Sequence, residues 1–145
     1  MGGEISFRML GEGDGAVLQR VADGVFDRGV DPARAAEFLA DPRLHIAVAI
    51  SAGLVVGFAS GVDYVHPDKP REMWINEVGV APGFRQAGVG AGVVRLLLSE
   101  AEAMGCTEAW VLTDADNAAA NALYRKVGGK EERPGQRMYA FALKA

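Results

Sequence analysis

The chain is poor in the residues that carry redox and metal chemistry. Its 145 residues include one cysteine, Cys106, and two histidines, His45 and His66. A single cysteine excludes an internal disulfide, and these three residues form no metal-ligand cluster, so no metal is expected. No apolar run approaches the length of a membrane span, and no basic-then-apolar leader opens the chain. The expected setting is therefore cytoplasmic, with no membrane partner. Basic residues are also few: 15 Lys and Arg against 19 Asp and Glu give a net charge of −4. That balance argues against a nucleic-acid binder, which would show a basic face, and favours a cationic partner. The opening "MGGEIS" fits an N-myristoylation pattern, but Ser6 falls inside a strand-like run.

What is present is the composition of a soluble globular protein, 50% apolar and 23% charged. Residues 1–145 read as a single domain, without repeats, linkers or low-complexity segments. "ISFRML" alternates as a half-buried strand does. "DGAVLQRVADGVF" (14–26) places Val17, Leu18, Val21 and Val25 at helical spacing behind Asp14, which predicts a helix. "DPARAAEFLAD" predicts a second helix, with Asp31 as its cap and Pro32 at its first position. "LHIAVAI", "SAG" and "LVVGFASGVDYV" read as a hairpin, and "HPDKPRE" as a loop. "MWINEVGV" is a strand, "GAGVVRLLLSEAEAM" an amphipathic helix stopped by Gly105, and "TEAWVLT" a short buried strand. "AAANALYRKV" is a helix, and "GQRMYAFAL" (135–143) is expected to close the chain as a strand. The order predicts an α/β (α+β) domain with one mixed sheet and helices packed on it.

Residues 83–92, "GFRQAGVGAG", hold four glycines between a strand and a helix. Such junctions hold phosphates, because backbone amides and the helix dipole converge there. Two common motifs fail. Gly83 and Gly88 have P-loop spacing, but Val89–Gly90 stands where Lys–Ser/Thr must be. Gly88, Gly90 and Gly92 do not have the dinucleotide spacing, and the following strand ends on Thr113 rather than an acid.

What does fit is Arg85-x-x-Gly88-x-Gly90, preceded by Val80-Ala81-Pro82. With the later Asn117-x-x-Ala120-x-x-Leu123-Tyr124, these residues resemble the GNAT superfamily of acyl-CoA-dependent N-acyltransferases, and the element order agrees over nearly the whole chain. The resemblance implies a mostly antiparallel central sheet flanked by helices, with acetyl-CoA as co-substrate. It also implies that Arg85, Gln86, Ala87, Gly88, Val89, Gly90 and Ala91 line the pyrophosphate. Val78 and Val80 would pair with the pantetheine arm, and Asn117, also read as a helix cap, would bind the coenzyme.

Acetyl transfer to an amine requires that the ammonium lose a proton, and the leaving thiolate gains from a donor. The family places a tyrosine near the thioester sulfur, which makes Tyr124 the candidate acid as well as a coenzyme contact. Its helix position also suits an aromatic on an apolar face, but the motif match fixes it as the acid. Glu77 is the candidate base, since a charge in mid-strand is costly unless it faces a cleft or a partner. It reads equally as a solvent-facing residue or one paired with Arg71 or Arg85. His45 and His66 show no evident partner, and Cys106 reads as a core residue. From "LHIAVA" to "YAFAL" the chain is similar to the short GNAT-fold aminoglycoside 3-N-acetyltransferases. That likeness makes Glu77 and Asp114 candidate contacts for a polycation's amines, although turn and cap chemistry also explains Asp114. Gly129 stands where the family usually has Phe, which widens the acceptor end or repacks it. A small cationic amine is the expected substrate. Another metabolite amine, a peptide N-terminus or a non-catalytic acyl-CoA sensor are the alternatives, and the resemblance implies a possible homodimer.

Overall fold

The computed structural model describes residues 3–143, so Gly2 of the myristoylation pattern lies outside them. Five strands form one sheet in sequence order: β1 (Ile5–Met9), β2 (Leu44–Ser51), β3 (Leu54–Tyr64), β4 (Glu72–Val80) and β5 (Glu108–Val111). The first three pairings are antiparallel and β4–β5 is parallel, which is the mixed, mostly antiparallel sheet expected. The β2–β3 hairpin closes through Ala52 and Gly53, both with positive φ (50° and 79°), as a tight two-residue turn requires.

Helix α1 (Pro32–Ala40) begins where Asp31 accepts the Arg34 amide at 2.9 Å, with Pro32 in the first turn. It buries Ala35 and Leu39. Helix α2 (Val89–Ala103) buries Val89, Val93, Val94, Leu97 and Ala101 against the opposite face of the sheet. Each large apolar side chain covered in this way contributes about 1.5–3 kcal/mol relative to an exposed one. Helix α3 (Ala118–Lys126) packs beside α2.

Two expected elements are absent. Residues 14–26 form only a 3-10 turn at Val17–Gln19. Asp14 does not cap a helix; its carboxylate turns back to the Gly11 amide (2.8 Å) and Arg8 (3.0 Å). Further on, the backbone of Arg20 and Ala22 bonds to Val55 at the start of β3, and Gly24 takes φ +84°. Leu18 and Val25 are nonetheless buried, so the apolar spacing marked core contacts rather than helical turns. The C-terminal segment, read as a strand, pairs with no strand among the described residues: Met138, Tyr139, Phe141 and Leu143 are 76–86% exposed.

Candidate active site

The site begins where a hydrogen-bond ladder stops. Pairing of β4 with β5 ends at Ile75–Val111, while β4 continues beside β3 as far as Val80. From Asn76 to Val80, β4 is therefore open on the β5 side, and Val78 and Val80 point their backbone groups the same way. At this point the β3–β4 register also slips: Ser60 faces Glu77, but Gly61 faces Ile75. Asn76 is the extra residue of a bulge, a device that re-aims neighbouring side chains.

The glycine-rich junction follows directly. Gln86 and Gly88 have positive φ (68° and 82°), and Gly88 caps α2 without any side-chain hydrogen bond. The amides of Gly88, Val89, Gly90 and Ala91 have no backbone acceptor among the described residues. Apart from its chain neighbours, no atom of the described residues lies within 4 Å of where a Gly88 β-carbon would stand, and no acid occupies the first turn of α2. Free donors, open space and the positive end of a helix dipole together suit a compact dianion such as a pyrophosphate. Arg85 lies alongside, its Nε donating to the Val80 carbonyl at 3.3 Å.

Helix α3 meets this junction at Gly90. A β-carbon there would lie 3.2 Å from Leu123 Cδ2 and 3.6 Å from Val80 Cγ2, so Gly90 lets α2, α3 and β4 approach one another. Asn117 caps α3, its Oδ1 accepting the Ala120 amide at 3.0 Å, which leaves its Nδ2 for a ligand. Tyr124 is half-buried, and burial raises its phenol above the ordinary tyrosine range. Gly129 donates its amide to the Tyr124 carbonyl at 2.8 Å, and a β-carbon at 129 would stand 2.9 Å from that oxygen. A side chain at 129 would therefore crowd the end of α3. The turn before α3 is fastened by Asn121, a residue sequence reasoning missed; its Nδ2 donates to the carbonyls of Asp114 (3.0 Å) and Asn117 (2.7 Å).

On the face opposite α2, Glu77 lines a cavity of about 480 Å³ with Ser60, Phe26, Phe38, Asp27 and Arg28. Glu77 has no ion-pair partner among the described residues; Arg71 is engaged by Asp63, and Arg85 by a carbonyl. Phe26 stacks on Phe58 with ring centroids 4.0 Å apart, making an apolar wall. The aromatic and charged lining from residues 26–34 was not recognised in the sequence, where residues 14–26 suggested a helix and Asp31 only a cap. Ser60 did interrupt an apolar run, a signal that was available. Asp114 is exposed in the turn after β5 and does not line this cavity.

His45, read as unpartnered, is engaged after all. Its Nε2 lies 2.6 Å from Asp63 Oδ2, and Arg71 Nη1 donates to Asp63 Oδ1 at 2.6 Å. The pairing of Asp63 with Met73 puts this cluster at the far end of β3 from Gly57 and Val80, where it ties together β2, β3 and the loop entering β4. Cys106 packs partly buried against the core, and burial raises its thiol above the usual range.

The model of the acetyltransferase (GNAT) family matches residues 18–129. The chain belongs to that family. Among curated GNAT-type relatives, it is 39% identical over 103 residues to the N-alpha-acetyltransferase RimI of Mycobacterium tuberculosis, covering 69% of this chain and 63% of that protein. It is 30% identical over 104 residues to an uncharacterised N-acetyltransferase of the same organism, covering 72% and 64%. The chain thus spans a little under two thirds of the length of these curated relatives. The fold is shared with a solved aminoglycoside N-acetyltransferase, AAC(6')-Iy in complex with CoA. That match has a TM-score of 0.77 at 20% identity and covers 100% of this chain and 98% of the other. Among the described residues no helix is long and apolar enough to cross a membrane.

Proposed function

We propose that this protein transfers an acetyl group from acetyl-CoA directly to a primary amine of a small cationic substrate. The observation that carries the reading is Glu77. Among the described residues it is a carboxylate without an ion-pair partner, in the wall of a sizeable cavity, on the strand segment whose other edge is unpaired. The free amides of Gly88 to Ala91, with Arg85, Gln86 and Ala87, would hold the pyrophosphate. Val78, Val80 and Asn117 would hold the arm of the coenzyme, which supplies an activated acetyl thioester. Glu77 accepts the proton of the incoming ammonium, directly or through water. Tyr124, kept neutral by burial, donates to the departing sulfur. The amine attacks directly, so Cys106, its thiol held protonated, needs no part.

For the acceptor, an aminoglycoside-like polyamine suits a cavity that pairs acids with stacked aromatic rings, and Asp114 would meet a second amine outside it. Acetylation removes a positive charge from such a molecule, a change consistent with antibiotic resistance. The RimI relative favours a second reading, in which the acceptor is a peptide or protein N-terminus. A cytoplasmic homodimer, without metal, nucleic acid or membrane partner, completes the proposal. The test is thiol release from acetyl-CoA with aminoglycosides, polyamines and short peptides, for the wild type and for Tyr124→Phe and Glu77→Gln. Turnover confined to peptides would overturn the small-amine reading. Binding of CoA without thiol release from any amine would leave a sensor.

A further inference from the structure

We propose that the acceptor carries a second ammonium group, and that this group seats against the stacked indoles of Trp74 and Trp110. The inference rests on the proposed transfer at Glu77 and names the kind of amine that reaches it. Trp74 and Trp110 stand opposite each other where β4 and β5 run parallel, with ring centroids 5.1 Å apart at 9°. On β3, Val62 faces Trp74 and Ser60 faces Glu77. Ser60 and Val62 are two positions apart, so alternation puts Trp74, Trp110 and Glu77 on one face of the sheet. The bulge at Asn76 is what brings Glu77 to the side of Trp74. Met73 and Ile75, on the other side, are buried, whereas Trp74 is 38% exposed and Leu112, two positions past Trp110, is 44% exposed. The indole pair is thus a partly uncovered continuation of the cavity wall that holds Ser60 and Glu77.

Charge selects the occupant. Strands β4 and β5 carry Glu72, Glu77 and Glu108 and no lysine or arginine. Glu72 and Glu108 stand opposite each other two positions before the indoles, on the same face. Like charges so placed destabilise a strand pair, a cost that a cation beside the rings would offset. His66 lies 3.5 Å from Glu72, while Glu108 is exposed and has no ion-pair partner among the described residues. Because β5 is the edge of the sheet, the outer face of Trp110 has no strand beside it among those residues. An indole face next to a carboxylate attracts an ammonium ion through the ring quadrupole and the full charge together. Two pleats along β4 and one step across to β5 put this seat roughly 7–10 Å from Glu77. A molecule held there by one nitrogen presents another to the base. The acceptor is then an extended di- or polyamine rather than a monoamine, and the indoles set the distance between its charges.

Trp74 and Trp110 are the only tryptophans of the chain, so intrinsic emission reports on the seat directly. The protein is saturated with CoA, which carries no acetyl group to transfer, and titrated with cadaverine, neamine and pentylamine. Cadaverine should shift the emission saturably and bind about three- to thirtyfold more tightly than pentylamine, which lacks the second nitrogen. Calorimetry should find that advantage lost in Trp110→Leu and reduced in Glu108→Gln, an exposed position outside the core. A shift and an advantage seen with neamine but not with cadaverine keep the seat and move the ammonium from a flexible chain to a sugar ring. No amine-dependent shift, or equal affinity for all three amines, overturns the proposal, and so does an advantage that survives both substitutions. Emission that follows protein concentration and not amine means that a second copy covers the indoles, and overturns it too. None of these readouts needs turnover. Thiol release that is equal for monoamines and polyamines sinks this inference alone, and amine binding without thiol release sinks the catalytic reading alone.

Discussion

Replacing Gly88 with alanine separates the two roles of the glycine-rich junction, its backbone shape and its hold on phosphate. Gly88 has φ +82°, where an L-residue costs about 1–2 kcal/mol. Apart from its chain neighbours, no atom of the described residues would touch the new methyl, so backbone strain sets the folding penalty. At the size of this chain that lowers the melting temperature by roughly 2–8 °C. For the ligand, the methyl stands in the open space beside the free amides. Loss of a single charge-assisted hydrogen bond, about 1.5–3 kcal/mol, weakens CoA binding roughly ten- to hundredfold. Titration calorimetry with CoA measures this on the folded variant below its melting point. Acetyl-pantetheine, which has no pyrophosphate, supplies the control: its kcat/KM with a working amine should be unchanged. A folded Gly88→Ala that binds CoA within twofold of wild type refutes the placing of the pyrophosphate at this helix start.

Tyr124→Phe should lower kcat by roughly 10²–10⁴-fold with little change in acetyl-CoA affinity. Because burial raises the phenol above its ordinary value near ~10, the acid stays protonated through neutral pH. Any alkaline fall due to this group should therefore have its midpoint above ~10; a pH–rate profile with an earlier midpoint would point to another acid. Gly79→Ala drives a β-carbon into the Val25 backbone carbonyl and against Phe58 Cε1 at 2.8 Å. That overpacking should cost about 1–3 kcal/mol and raise the acceptor KM more than that of acetyl-CoA, because the displaced loop lines the cavity; an unchanged melting curve would refute it. Asp63→Ala leaves His45 and Arg71 without their shared acceptor and should destabilise the fold by about 3 kcal/mol, read by urea unfolding, while CoA affinity in the folded protein is kept.

How far the sequence could be read depended on whether the decisive interaction was local. The cap at Asp31, the tight turn at Ala52–Gly53 and the cap at Asn117 are settled within four residues, and each was legible or consistent with its reading. Residues 14–26 failed because the competing partner was remote. Val55, more than thirty residues later and in a sheet not yet assembled, claims the backbone of Arg20 and Ala22, and no local periodicity reports that. His45 was misread for the same reason, since Asp63 lies eighteen positions away and meets it only once the hairpin has formed. The cavity lining from 26–34 was hidden by the mistaken helix, while its opposite wall, Glu77, stood out as a charge in mid-strand. The closing strand was read from alternation alone, and among the described residues that pattern finds no partner strand.

The functional residues are brought together by the end of a single pairing. Had β5 followed β4 for five more residues, the backbone groups of Val78 and Val80 would be spent on a neighbouring strand and the start of α2 would lie over a closed sheet. The ladder instead stops at Ile75–Val111, and the bulge at Asn76 falls beside the last bonded pair. The extra residue leaves Glu77 opposite Ser60 on the cavity face, while Val78 and Val80 keep the face shared with α2. Were Asn76 paired instead of bulged out, it would stand opposite Ser60 and Glu77 would turn toward the α2 face, where Ala59 and Val89 are fully packed. With Asn76 deleted, Glu77 follows Ile75 directly and still meets Ser60 on the cavity face by plain alternation. The deletion variant should therefore keep both CoA binding and acetyl transfer, read by thiol release; loss of transfer with retained CoA binding would show that the bulge aims the carboxylate beyond setting its face.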